Sequence, residues 1–192
     1  MDFVELIQRE AKVIAELHQN IHITFKNRNN DRETWSRACE KFHSHVSSMS
    51  VFINRVYNEK EFQDEEIIEF GITYLELDPF YFRSGYIKEE ILTKIKRSRL
   101  SKKQVKRLRS VLLNAVERRG SKEYKYYCRL AGFIADEKFI DQLLLTESVS
   151  NQKIKYRSEK MLKTIVHSQA HNKFKNFRSL RSLGRANRAR PF

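Results

Sequence analysis

Phe3, Leu6, Ile7, Ile14, Leu17, Ile21 and Phe25 recur at steps of three and four, with one longer gap at Glu10-Ala11. Residues at that spacing line one side of a helix of 3.6 residues per turn, so a single helix is predicted over 3–26. The polar run Asn27-Arg28-Asn29-Asn30-Asp31 ends it. A second stripe then follows: Trp35, Ala38, Cys39, Phe42, Val46, Met49, Ile53 and Val56. Asn30 and Glu33 have capping-box spacing at its start. Two long amphipathic helices joined by a short polar loop predict an antiparallel helical hairpin over 1–60. The chain of 192 residues holds only 5 Gly and 2 Pro. A β fold needs turn residues at short intervals, so the expectation is an all-α protein.

Shorter helices are predicted downstream. One runs from about Asp64 to Leu77, with Ile67, Ile68, Gly71 and Leu75 inward. Asp78-Pro79 has the form of a cap followed by Pro at a first helical position, opening the aromatic run Phe80-Tyr81-Phe82. Ser84-Gly85 marks a bend, and Ile87, Ile91, Leu92 and Ile95 carry a helix to about Arg97. Ser101 and Gln104 form a capping box ahead of Val105, Leu108, Val111, Leu112, Ala115 and Val116. Tyr124, Tyr127, Cys128 and Ala131 mark the next helix; Asp136 caps another through Leu145. A last helix is predicted over 151–170. Starts near Asp64, Ser101 and Asp136 lie 37 and 35 residues apart, with two helices in each interval. In that interval the segment resembles HEAT-like α-solenoids. Residues 61–170 are thus expected to form a multi-helix bundle or a short HEAT-like right-handed helical array, continuous with the hairpin. Residues 171–192, with seven basic residues and no acidic ones, are expected to be a basic flexible tail.

The formal net charge of +14 is unevenly spread. Residues 1–82 carry −6, 83–129 carry +12, 130–149 carry −3 and 150–192 carry +11. Segregation of this kind points to an anionic partner. Lys94, Lys96, Arg97 and Arg99 precede the capping box, and Lys102, Lys103, Lys106, Arg107 and Arg109 follow it on or beside the polar face. Residues 94–116 contain no Asp or Glu to pair with them. Lys122, Lys125 and Arg129 share a face of the next helix, with Tyr126 beside them for stacking. Lys173, Lys175, Arg178, Arg181, Arg185, Arg188 and Arg190 are interleaved in the tail with Phe174, Phe177, Leu180 and Leu183.

Catalytic patterns are missing. There is no phosphate-binding loop, dinucleotide fingerprint, nucleophile elbow or H-E-x-x-H helix. His18/His22 and His167/His171 have the i, i+4 spacing of a two-imidazole metal site, but lack a companion carboxylate or thiol pattern. The carboxylates Asp64, Glu65, Glu66 and Glu69, and likewise Asp136, Glu137 and Asp141, sit where a helix N-terminus favours negative charge. No metal, cofactor or catalytic residue is therefore assigned.

Cys39 and Cys128 fall on apolar stripes and read as buried free thiols. Met1–Glu5 has no leader pattern and no apolar run approaches a membrane span, so a cytoplasmic location is expected. The expected function is non-enzymatic binding of nucleic-acid phosphate backbone, DNA or RNA. The alternative is an adaptor, regulator or immunity-type inhibitor whose basic face covers an acidic protein. In either case the N-terminal hairpin offers a surface for homodimerisation.

Overall fold

The computed structural model describes the backbone of residues 1–118, 122–147 and 151–186, and the side chains of 1–118, 122–146 and 151–170. Among the described residues there are nine helices and no strand: α1 (Phe3–Lys26), α2 (Arg32–Ser44), α3 (Ser50–Asn58), α4 (Glu65–Leu77), α5 (Ser84–Ile95), α6 (Lys102–Arg118), α7 (Tyr124–Ile134), α8 (Glu137–Glu147) and α9 (Gln152–Ala186). No helix among them is long and apolar enough to cross a membrane. The chain divides into two compact units, Met1–Leu108 and Arg109–Phe192, with the division inside α6.

In the first unit α4 is the central element. Its sequence Ile67-Ile68-Glu69-Phe70-Gly71-Ile72-Thr73-Tyr74-Leu75 is apolar almost all round, and every residue in it but Glu69 is buried. A helix of that kind needs neighbours on several sides. It has them in α1, α3 and α5. Phe70 stacks on Phe52 of α3 at 4.9 Å, and Phe3 meets both rings edge-on at 5.1 and 5.7 Å. At Gly71 a Cβ would lie 3.1 Å from Ile91, so the missing side chain lets α5 approach closely.

The second predicted helix is broken. The chain leaves α2 at Ser44 and re-enters as α3 at Ser50. Glu10 of α1, in the gap of the first stripe, is 3% exposed. Its carboxylate accepts from His45 Nε2 (2.6 Å), Ser48 N (3.2 Å) and Ser48 Oγ (2.8 Å). A backbone N–H committed to a side chain is lost to the i→i−4 ladder, and the helix stops. Met49 still reaches the core, but Val46, expected on the inner stripe, turns outward.

Asp78 ends α4 instead of opening a helix. It adopts the left-handed conformation (φ 46°) and returns its N–H to Tyr74 O; Asp tolerates that region better than most residues. Its carboxylate accepts from Lys88 of α5. Residues 79–83 form a non-helical link, and α5 begins only at Ser84 after Arg83, also left-handed (φ 56°). Side-chain capping accounts for several other starts, though not for α3 or α7. Asp31, not Asn30, caps α2 through Thr34 N (3.0 Å). Asp64 caps α4 through Ile67 N (3.0 Å), and Asp136 caps α8 through Phe139 N (2.9 Å). Ser101 and Gln104 make the reciprocal capping box at 2.8 and 3.3 Å.

In the second unit α7 and α8 both pack on α9. Gly132 is the close point: a Cβ there would come within 2.8 Å of Ser168 Cβ. Buried Arg157 donates from Nε to Val116 O (2.5 Å) and from a terminal nitrogen to Glu117 O (3.0 Å), at the end of α6. The cation thus sits at the negative end of that helix. Tyr124 donates its hydroxyl to Arg157 O at 2.8 Å. Helix α9 does not end near residue 170 but continues to Ala186, through most of the segment expected to be a flexible tail.

Candidate anion-binding surface

The structure sorts the cations nominated from sequence into those used by the fold and those left on the surface. Lys94 is 6% exposed and donates to Val56 O and to Tyr57 O (3.2 Å), with Glu90 at 3.5 Å. It holds the C-terminal carbonyls of α3 and does not face solvent. Arg107 reaches back to α4. Its Nε and one Nη donate to the two oxygens of Glu76 at 2.8 and 2.7 Å, the other Nη pairs with Glu69, and Thr73 Oγ1 accepts at 3.2 Å. Hydrogen bonding to Glu76 outweighs burial and, with Glu69, raises the guanidinium's affinity for its proton. Arg109 donates to Ile134 O at 2.7 Å and pairs with Asp136. The acids missing from residues 94–116 are therefore supplied from outside that span, and these three cations are structural.

Gln104 adds to the same tether. Beyond its part in the capping box, its amide donates to Glu65 (2.7 Å) and Glu69 (2.9 Å). Burial pushes the Glu69 carboxyl up, but Gln104 and Arg107 outweigh it and hold the group below its ordinary value. The acidic start of α4 is also held by Arg55, which pairs with Asp64, Glu59 and Glu66.

Arg97, Arg99, Lys102 and Lys103 are all exposed, and their side chains make no hydrogen bond or ion pair with another described residue, although Lys103 is near enough to Glu69 to help hold its carboxyl down. Lys96 is half-exposed and Lys106 exposed nearby. Lys102 and Lys103 occupy the first turn of α6, which holds no acid. The macrodipole makes that end positive already, so the sign is the reverse of what an isolated helix favours.

In the second unit Lys122, Lys125 and Arg129 are exposed. Tyr126 differs from expectation: it is half-buried, and its ring already has Lys125 Nζ at 4.8 Å and Arg129 Cζ at 5.2 Å. Sequence reasoning missed the exposed Lys153, Lys155, Lys160 and Lys163 of α9. Lys160 and Lys163 line a groove of about 400 Å³ with Tyr156, Glu159, Thr164 and His167. Their spacing on one helix face was readable; the denser charge of residues 171–192 masked it. The side chains of Lys173, Lys175, Arg178, Arg181 and Arg185, and the whole of Arg188 and Arg190, lie outside the described residues.

Other candidates resolve simply. Among the described residues no group of three or more His, Cys, Asp or Glu converges as a metal site would. His45 is bound to Glu10, while His18 packs edge-on against Phe80 at 5.6 Å. Cys39 is half-exposed and Cys128 buried, both as free thiols, and burial pushes the Cys128 thiol up to about 11.

The chain matches no protein-family model. It matches no curated protein and no solved structure.

Proposed function

We propose that this all-α protein is a non-enzymatic binder of nucleic-acid phosphate backbone, and that Arg97, Arg99, Lys102 and Lys103 form its principal contact in the first unit. One observation carries the reading: four exposed cations whose side chains form no ion pair among the described residues are gathered within seven residues at the positive end of α6, Lys103 also lying within electrostatic reach of Glu69. Cations so placed repel one another and the helix dipole, and polyanion binding relieves both. Lys122, Lys125 and Arg129 supply a further set on α7. The reading also keeps the protein inside the cell.

The test is fluorescence anisotropy with labelled DNA and RNA across a salt series. Binding should weaken steeply as salt rises, with log K falling by about 0.9 per phosphate contact on duplex DNA. The quadruple variant R97Q/R99Q/K102Q/K103Q should flatten that slope, whereas Lys94→Met should change stability and leave the slope intact. No binding at low salt sinks the proposal, as does a slope unaffected by the quadruple variant. A partner retained from native extract after nuclease treatment would instead favour an acidic protein.

A further inference from the structure

Phe80 stands on the rigid link between α4 and α5. Left-handed residues at Asp78 and Arg83 bracket that link, and Lys88 ties its start to α5 through Asp78. Pro79 is buried and Tyr81 half-buried, which fixes the backbone on both sides of residue 80. Phe80 itself is 59% exposed and Phe82 55% exposed. Phe82 meets Phe42 at 6.1 Å and carries the Arg83 guanidinium 5.0 Å from its ring centre. A well-anchored link that presents two large apolar rings to solvent is an unusual use of apolar surface.

Beside Phe80 lies an open cavity of about 420 Å³, lined by Ala15, His18, Gln19 and His22 of α1 and by Phe80. The lining has one phenyl ring, two imidazoles and one primary amide, with no carboxylate. The His18 ring meets the Phe80 ring edge-on at 5.6 Å. Ala15 contributes only a methyl group, which leaves room above α1. Aromatic faces stack on planar heterocycles, and an amide supplies a donor and an acceptor to the edge of such a ring. Imidazoles add donors and acceptors of their own. Unpaired bases splayed from a strand are held in this way, stacked on aromatic side chains and bonded along their edges.

We propose that the Phe80 cavity takes one unpaired nucleobase of a single-stranded nucleic acid, stacked on Phe80 and contacted at its edge by Gln19. The inference rests on the phosphate-binding reading and adds to it a preference for single strands. It also gives the paired histidines of α1 a role that needs no metal.

Anisotropy with a labelled 12-nucleotide oligo(dT) and a duplex of the same length tests it. Phe80→Ala should weaken the single strand about 5- to 150-fold, the range set by loss of one base–aromatic stack. Duplex affinity and the salt slope should stay unchanged. Phe80→Tyr, which retains an aromatic face, should keep most single-strand affinity. Gln19→Ala should weaken it less than Phe80→Ala. Exposed Phe80 is not part of the core, and an unchanged circular-dichroism melt verifies that each variant folds. Equal single-strand affinity for wild type and Phe80→Ala overturns this inference while phosphate binding stands. A flattened salt slope in R97Q/R99Q/K102Q/K103Q alongside a selective Phe80→Ala loss supports both. A Phe80→Ala loss confined to capture of a nuclease-resistant protein partner overturns the nucleobase assignment.

Discussion

Arg107→Met separates two roles that sequence alone gives the same residue. As part of a ligand surface, Arg107 would contribute to binding and little to stability. The structure instead has its guanidinium bridging Glu76 and Glu69 of α4, with Thr73 as a further acceptor. Its side chain is 26% exposed, and the two carboxylates are 30% and 33% exposed. Hydrogen bonds to charged groups are worth about 1.5–3 kcal/mol when well buried, and surface ion pairs about 0–1 kcal/mol. At this intermediate exposure, two ionic partners and one hydroxyl give about 2–3 kcal/mol in total. Methionine keeps the packing of the aliphatic stem but removes the guanidinium from both acids, leaving Glu69 its hydrogen bond from Gln104. Urea unfolding should therefore show a fall of that size in midpoint-derived stability, with little change in the denaturant slope. Arg107→Lys should recover less than half, because one ammonium cannot match the fork that serves Glu76 and Glu69 together. In a double-mutant cycle with Glu76→Gln, coupling of about 1 kcal/mol or more is expected. A variant with wild-type stability and a lost nucleic-acid salt slope would refute the structural assignment of Arg107.

Two further perturbations probe the units separately. Burial pushes the Glu10 carboxyl up, but hydrogen bonds from His45, Ser48 and Ser47 hold it below the ordinary value of 4.5. Its stabilising contribution is thus present above pH 4.5 and is lost as pH falls through the lowered native value. Glu10→Gln should destabilise the protein by about 1–3 kcal/mol at neutral pH and make the acid limb of a stability–pH curve shallower, though Asp64 and Glu69 still contribute to that limb; an unchanged limb would count against it. Gly132→Ala should lower stability by about 1–2 kcal/mol through overpacking against Ser168. In a Ser168→Gly background the same change should become stabilising, because the roughly 1 kcal/mol gain in helix propensity is then unopposed. Destabilisation in both backgrounds would show that Ser168 is not the obstacle.

Helix class and most starts were legible because they depend on local chemistry. The caps at Ser101 and Asp136 bond to backbone amides within three residues, as expected, and the helix expected from about Asp64 is capped by that residue in the same way. Local spacing failed where a distant residue took over a backbone group. The stripe from Trp35 to Val56 predicts one helix, but Glu10, 38 residues before Ser48, claims that residue's N–H and breaks it. The gap at Glu10 in the first stripe was itself the trace of this contact, since it falls where an apolar residue would otherwise face inward. Asp78-Pro79 misled for a related reason: Asp suits a helix cap at either end, and the choice turned on its contacts with Tyr74 and Lys88.

The basic surface was legible in amount and not in availability. Charge counting treats Lys94, Arg97, Arg107 and Arg109 alike, while packing gives three of them internal acceptors. What remains, Arg97 to Lys103, stands on a backbone fixed by its structural neighbours. Lys94 anchors the last turn of α5, and the Ser101–Gln104 capping box tethers the first turn of α6 to Glu65 and Glu69. Buried and exposed cations thus have complementary roles: the first hold the chain still, and the second present charge from it. On the proposed reading, a polyanion meeting this segment would order side chains but little backbone, so less of the contact energy would go into ordering. Since side-chain ordering is all that remains, affinity should track the number of exposed cations there more closely than the chain's total charge.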